Sequence, residues 1–115
     1  MKLSVLDQST AARGVPAAQT IRDTVEMAVL AEELGYHRFW VSEHHNHPVI
    51  NGTAPEILMA AIAQKTSRIR LGSAGVMLPH YAPLKPPAQS RLLQPSAPAP
   101  THPRPGPHPC AARPP

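Results

Sequence analysis

Hydrophobic and polar positions change their period repeatedly along the first 85 residues. Residues 2–6 alternate, with Leu3 and Val5 facing one way and Ser4 and Leu6 the other, before the polar run Asp7-Gln8-Ser9-Thr10. A two-residue period of this kind predicts a short strand that ends in a loop. Residues 17–34 contain neither glycine nor proline, and Ile21, Val25, Ala28, Ala31 and Leu34 recur at steps of three and four. That stripe predicts an amphipathic helix, with Gly35 placed for a left-handed C-terminal cap. Arg38-Phe39-Trp40-Val41 predicts a second strand, and it runs directly into Ser42-Glu43-His44-His45-Asn46-His47. After a break at Asn51-Gly52-Thr53, Pro55 and Glu56 open a second helix, which Ile57, Leu58, Ala61 and Ile62 continue to Thr66. Residues 69–78 predict a third strand, interrupted by Gly72 and Gly75, which mark a bulge or a close backbone approach. Phe39, Trp40, Met77 and Leu78 are expected in the core.

The three strands start at Lys2, Arg38 and Ile69, spacings of 36 and 31 residues, close to the roughly 30 residues of one βαβ unit. Such alternation favours a parallel sheet with helices outside it. A nucleotide-binding doubly wound sheet would carry a glycine-rich loop after its first strand, and Asp7-Gln8-Ser9-Thr10-Ala11-Ala12 contains no glycine. The expected fold class is therefore α/β, specifically three βα units forming the N-terminal part of a (β/α)8 TIM-type barrel. A whole barrel takes about 250 residues, so the chain is expected to be an N-terminal fragment of one.

Composition divides the chain in two. Eleven of its sixteen prolines fall in residues 86–115, whereas all seven acidic and all four aromatic residues precede that point. The expected domains are thus a partial barrel over 1–85 and a Pro-rich tail over 86–115, too dense in proline for a helix or a central strand and expected to be disordered. The net charge of +4 resolves into eight Lys/Arg against seven Asp/Glu up to Lys85, plus Arg91, Arg104 and Arg113 in the tail. Three scattered arginines form no ordered patch, so neither nucleic acid nor a membrane is an expected partner. One cysteine, Cys110, excludes an internal disulfide framework and a cysteine zinc site. No apolar run reaches the length of a membrane span, which is about 20 residues, and the early Asp7 argues against a signal peptide, so a cytoplasmic location is expected.

In a barrel, chemistry gathers where strands end, and these ends carry Asp7-Gln8-Ser9, Glu43-His44-His45 and Ser73-Ala74-Gly75. Adjacent histidines at a strand exit point in opposite directions, so one of His44 and His45 faces the barrel mouth while the other packs sideways. An imidazole there suits proton transfer near neutral pH, and hydrogen-bonding support of a neighbouring group is the plainer role. Glu43, His44, His45 and His47 also form a dense cluster of metal-type ligands. Consecutive residues do not readily converge on one ion, so no metal is expected. Gly72 and Gly75 either relieve strain in a twisted strand or let a flat ligand lie against the backbone.

Phe39-Trp40-Val41-Ser42-Glu43-His44-His45, taken with Ile69-Arg70-Leu71-Gly72-Ser73-Ala74-Gly75-Val76-Met77-Leu78-Pro79-His80, resembles the luciferase-like flavin monooxygenases, the superfamily of bacterial luciferase. Ser4-Val5-Leu6-Asp7-Gln8-Ser9, Ala31-Glu32-Glu33-Leu34-Gly35-Tyr36 and Ala54-Pro55-Glu56 extend the likeness over nearly all of 1–85. The resemblance implies a barrel that binds reduced FMN, or in some branches a deazaflavin, and uses O2 to oxygenate a small organic substrate. It also implies a flavin reductase as supplier of the reduced cofactor and, frequently, a dimer. By the same resemblance His44 is the catalytic histidine, and Ser73, Ala74, Gly75, Glu43 and His45 belong to the cofactor site, with a non-proline cis bond between Ala74 and Gly75. Gln89, Arg91, Leu92, Ala97, Pro98, Gly106 and Pro109 keep the family register within the Pro-rich stretch, which points to base-level changes toward proline rather than a frameshift. A non-enzymatic module presenting a polyproline tail to an aromatic groove is the competing reading of that stretch.

Overall fold

The computed structural model describes residues 1–96 and 102–103. Strand and helix alternate as the periodicity predicts: β1 (Ser4–Asp7), α1 (Ala17–Glu33), β2 (Arg38–Val41), α2 (Pro55–Ala63), β3 (Arg70–Ser73), then a 3-10 turn over Leu78–His80, α3 (Lys85–Ser96) and β4 (His102–Pro103). The strands form one parallel sheet in the order β1-β2-β3-β4. A doubly wound sheet reverses its strand order at a switch point, and no reversal occurs among these four.

Side chains alternate across the sheet. Phe39, Val41, Leu71 and Ser73 are buried on the helix-facing side, where α1 and α2 contribute Ala28, Ala31, Leu58, Met59, Ile62 and Ala63 to the core. Val5 of β1 packs against the same cluster. Ser4, Leu6, Arg38, Trp40, Arg70 and Gly72 share the opposite face. Leu6 there is 54% exposed. Among the described residues no helix is long and apolar enough to cross a membrane.

Several expectations require correction. The buried stripe of α1 is Thr20, Thr24, Ala28 and Ala31, with Ile21 and Val25 half-buried beside it, while Leu34 is exposed because the helix stops at Glu33. Gly35 does end that helix in the left-handed region, with φ 80°. On α2 the core residues are Leu58, Met59, Ile62 and Ala63, leaving Ile57 exposed, and the helix closes at Ala63 rather than Thr66. The third strand ends at Ser73 instead of running through residue 78. Met77 is buried as expected, but Leu78 lies on the exposed 3-10 turn.

The largest difference lies after Lys85, where proline density predicts no helix and α3 nevertheless forms. Pro86 and Pro87 stand in its first turn, where no intrahelical N–H donor is needed. The next proline is Pro95, so a proline-free stretch supplies the helical bonds. Leu93 anchors α3 in the core, and Gln89 Nε2 donates to Glu56 Oε1 on α2 at 3.2 Å. Similarly Pro103 is accommodated in a strand because β4 is the last strand of the row, where one side needs no ladder donor. The remainder of the expected disordered tail, Cys110 included, lies outside the described residues.

One carboxylate braces the turn into β3. Glu32, near the end of α1, accepts N–H bonds from Ser67 and Ile69 at 3.0 and 2.7 Å and from Arg68, together with the Ser67 hydroxyl. Partial burial opposes its ionisation, but those donors outweigh it and hold the carboxyl below its ordinary value.

Candidate active site at the carboxyl ends of the strands

Register fixes what gathers at this rim. Asp7 pairs with Val41 and Val41 with Ser73, so the segments beginning at Gln8, Ser42 and Ala74 leave the sheet side by side. The Ala74 N–H donates to the Val41 carbonyl at 2.7 Å, extending the ladder one step past β3.

The exits of β1 and β2 are sewn together. Asp7 Oδ1 accepts the Ser9 N–H at 3.0 Å, and Ser9 turns into the left-handed region at φ 53°. Its buried hydroxyl receives a bond from Thr24 Oγ1 on α1 at 2.9 Å. The Ala11 N–H donates to Val49 O at 2.7 Å and the Asn51 N–H to Ser9 O at 2.9 Å, flanking an antiparallel bridge between Thr10 and Ile50. Gly52 makes this approach feasible, because a Cβ at that position would lie 3.3 Å from the carbonyl oxygens of both Gln8 and Ser42. The Gly52 carbonyl in turn accepts the His44 N–H at 2.9 Å.

The two histidines take different partners. His44 is half-buried, and its Nδ1 pairs with Ser42 Oγ at 3.1 Å. His45 is exposed at the surface while its Nε2 reaches back to Glu43 Oε1 at 2.8 Å, and its ring lies 5.1 Å from that of His80. His47 turns outward, with Nδ1 accepting the Val49 N–H at 3.4 Å. Among the described residues no three metal-type ligands come together.

Glu43, only 1% exposed, commits both carboxylate oxygens within the protein. Besides His45, Oε1 accepts the Tyr81 hydroxyl at 2.9 Å, and Oε2 accepts the Met77 N–H at 2.9 Å. A buried carboxylate is tolerated when donors of this kind replace its water. The cluster ties the segment after β3 down over the end of β2. Burial, followed by the bond to Glu43, pushes the Tyr81 phenol well above its ordinary value. Ser73 is fully buried, and its hydroxyl donates to the Gly75 carbonyl, bending the chain as it leaves the strand. Ala74, Gly75 and Val76 follow half-buried. The Ala74–Gly75 peptide is trans, contrary to what the resemblance implies, as are the other described peptides.

Sequence reasoning thus places all six nominated residues, Glu43, His44, His45, Ser73, Ala74 and Gly75, at one rim. It misses Tyr81, the Met77 amide, Ser42 and Gly52. Tyr81 and Met77 lie 38 and 34 residues from Glu43, beyond any local spacing rule. The available signal was the acid itself, since a glutamate at a buried strand exit requires donors.

A family model described as luciferase-like monooxygenase matches residues 1–93. The chain belongs to the luciferase-like monooxygenase family. One relative in this family, N-acetyl-S-alkylcysteine monooxygenase of Bacillus subtilis, is 52% identical over 98 residues, covering 85% of this chain and 29% of the relative. A protein named luciferase-like monooxygenase from Escherichia coli K12 is 41% identical over 81 residues, 70% of this chain and 24% of its own. Two solved structures share the architecture. Apo-MsnO8 superposes with a TM-score of 0.82 at 45% identity, over 87% of this chain and 30% of that one. The oxygenating constituent of 3,6-diketocamphane monooxygenase from Pseudomonas putida, in complex with FMN, gives 0.78 at 25% identity, over 92% and 29%. The chain therefore spans less than a third of the length of these family members.

Proposed function

We infer that the chain supplies the first βα units of a (β/α)8 barrel and, at their carboxyl ends, part of a site for reduced FMN that acts with O2 on a small organic substrate. The observation that carries this reading is the register of Asp7, Val41 and Ser73, which sends the His44 and Ala74–Gly75 segments out along the same rim. The FMN complex of the Pseudomonas putida relative supports the choice of cofactor.

The residues present fit a flat, hydrogen-bonding ring. Gly75 offers backbone without a side chain, half-exposed beside Ala74 and Val76, and the bend held by Ser73 presents that backbone to the rim. Ala74 and Gly75 form the ring's resting edge, and Ser73 holds that edge in place. Glu43 anchors the same segment through Met77 and Tyr81, and His45 closes its outer side. When bound, reduced flavin supplies the electrons that activate O2. His44 is the proton-transfer residue, and the Ser42 hydroxyl at its Nδ1 orients the ring.

Titration of FMN fluorescence with the protein tests this. Quenching that saturates in the parent chain and weakens at least tenfold in Gly75→Val supports the site, and His44→Ala is expected to weaken it less. Equal quenching by Gly75→Val removes the basis for the reading. A deazaflavin titrated in parallel decides which flavin the rim prefers.

A further inference from the structure

The connection between β2 and α2 carries the pair Asn51-Gly52, and of the protein's two asparagines only Asn51 is followed by glycine. Such a pair is prone to spontaneous deamidation, because a residue without a side chain leaves its amide nitrogen open to attack the preceding carboxamide. In an unconstrained chain the reaction proceeds by ring closure. The Gly52 nitrogen bonds to Cγ of Asn51, the Cγ–Nδ2 bond breaks, and Nδ2 departs as ammonia with the proton of the Gly52 amide. Water then opens the cyclic imide. Opening at Cγ leaves aspartate. Opening at the main-chain carbonyl of Asn51 leaves isoaspartate, which routes the backbone through Cβ and Cγ and lengthens it by one atom.

The fold restrains this reaction on both sides of the reacting bond. The Asn51 N–H donates to Ser9 O, and the Gly52 carbonyl accepts the His44 N–H, each at 2.9 Å. Ring closure fixes the torsion between these two anchored groups and so pulls against both. Gly52 is also hemmed in, since a Cβ there would lie 3.3 Å from the carbonyl oxygens of Gln8 and Ser42. Its burial keeps base from the amide proton. Asn51 itself is half-buried and lines the cleft beside His47 and Thr53, so the fold shields the attacking nitrogen rather than the carboxamide.

We propose that Asn51-Gly52 is a deamidation site whose reaction waits on opening of the joint between the exits of β1 and β2. Local opening of the joint frees the Gly52 peptide and lets the ring close. Once isoaspartate forms, the extra backbone atom has no room between the Gln8 and Ser42 carbonyls, and the Gly52 carbonyl leaves the His44 N–H. Chemical ageing at Asn51 thereby loosens His44 in a chain that is otherwise intact. The site depends on the joint alone, so it stands independently of the flavin reading.

The full chain is incubated at mildly alkaline pH without urea, in graded urea and in fully denaturing urea. Peptide mapping follows the loss of Asn51, and enzymatic methylation labels isoaspartate. Asn51 is expected to react at least tenfold more slowly without urea than in the denatured chain, and at intermediate urea its rate should rise in step with exchange of its own amide. Equal rates with and without urea, or a rate that ignores the amide exchange, overturn the proposal. The isoaspartyl fraction is separated by its added negative charge and compared with Asn51→Asp, which carries the same charge on a backbone of ordinary length. The His44 amide should exchange faster in the isoaspartyl fraction. Equal exchange in the two overturns the link to His44.

Discussion

At the residue scale the decisive group is Glu43, whose carboxylate is enclosed and satisfied by Tyr81, Met77 and His45. Truncation by Glu43→Ala leaves the Met77 N–H and the Tyr81 hydroxyl without their acceptor, and is expected to cost about 2–3 kcal/mol. The measurement is the chemical-denaturation midpoint, with faster amide exchange at Met77 as the local signature. Tyr81→Phe removes a single bond and should cost about 1 kcal/mol. It also changes the alkaline limb. Because the Tyr81 phenol is raised in the folded chain, its contribution is intact below the ordinary phenol value near 10 and is lost as pH rises further. The parent should therefore lose stability above pH 10 more steeply than Tyr81→Phe, and a late ultraviolet phenolate step should vanish in the variant. Glu43 and His44 were legible in the sequence because they end a recognisable strand. Tyr81 was not, because a contact across 38 residues follows only from the way the segment after β3 folds back.

At the scale of elements, the joints rather than the strands carry the information that periodicity lacks. Glu32 joins α1 to the turn before β3, and Glu32→Gln is expected to lower stability by about 1 kcal/mol at pH 7, a figure already reduced for its partial exposure. Its carboxyl is held below the ordinary value, so its contribution is complete above about pH 4.5 and disappears as pH falls through the depressed value. Thermal midpoints of parent and variant should differ at pH 7 and converge toward pH 3. Gly52 joins the exits of β1 and β2, and Gly52→Val forces apart the carbonyls of Gln8 and Ser42. An overpacking cost of about 1–3 kcal/mol is expected, read as a lower melting temperature. The βαβαβ order, the Gly35 cap and the second strand were visible from spacing and turn chemistry. The third helix was not, because a count of prolines ignores where in a turn each proline falls, and Pro86 and Pro87 occupy the positions that tolerate them.

At the scale of the whole molecule, large apolar side chains stay exposed, Leu6 on the sheet and Leu3, Leu34 and Leu84 beside it. We expect the isolated protein to unfold over a broad temperature range, to bind a hydrophobic dye near neutral pH, and to associate at higher concentration. A sharp, concentration-independent transition would show that the core suffices. The direction of the strands was legible from the βα repeat, and the strand order, sequential without reversal, agrees with the barrel reading. The exposure of Leu6 was not legible, since alternation along a strand says which residues share a side but not what lies opposite them. The stitched exits of β1 and β2 bear on engineering. Neither connecting segment can be exchanged for that of a relative alone. The two must be transplanted as a matched pair, with the glycine that lets them touch.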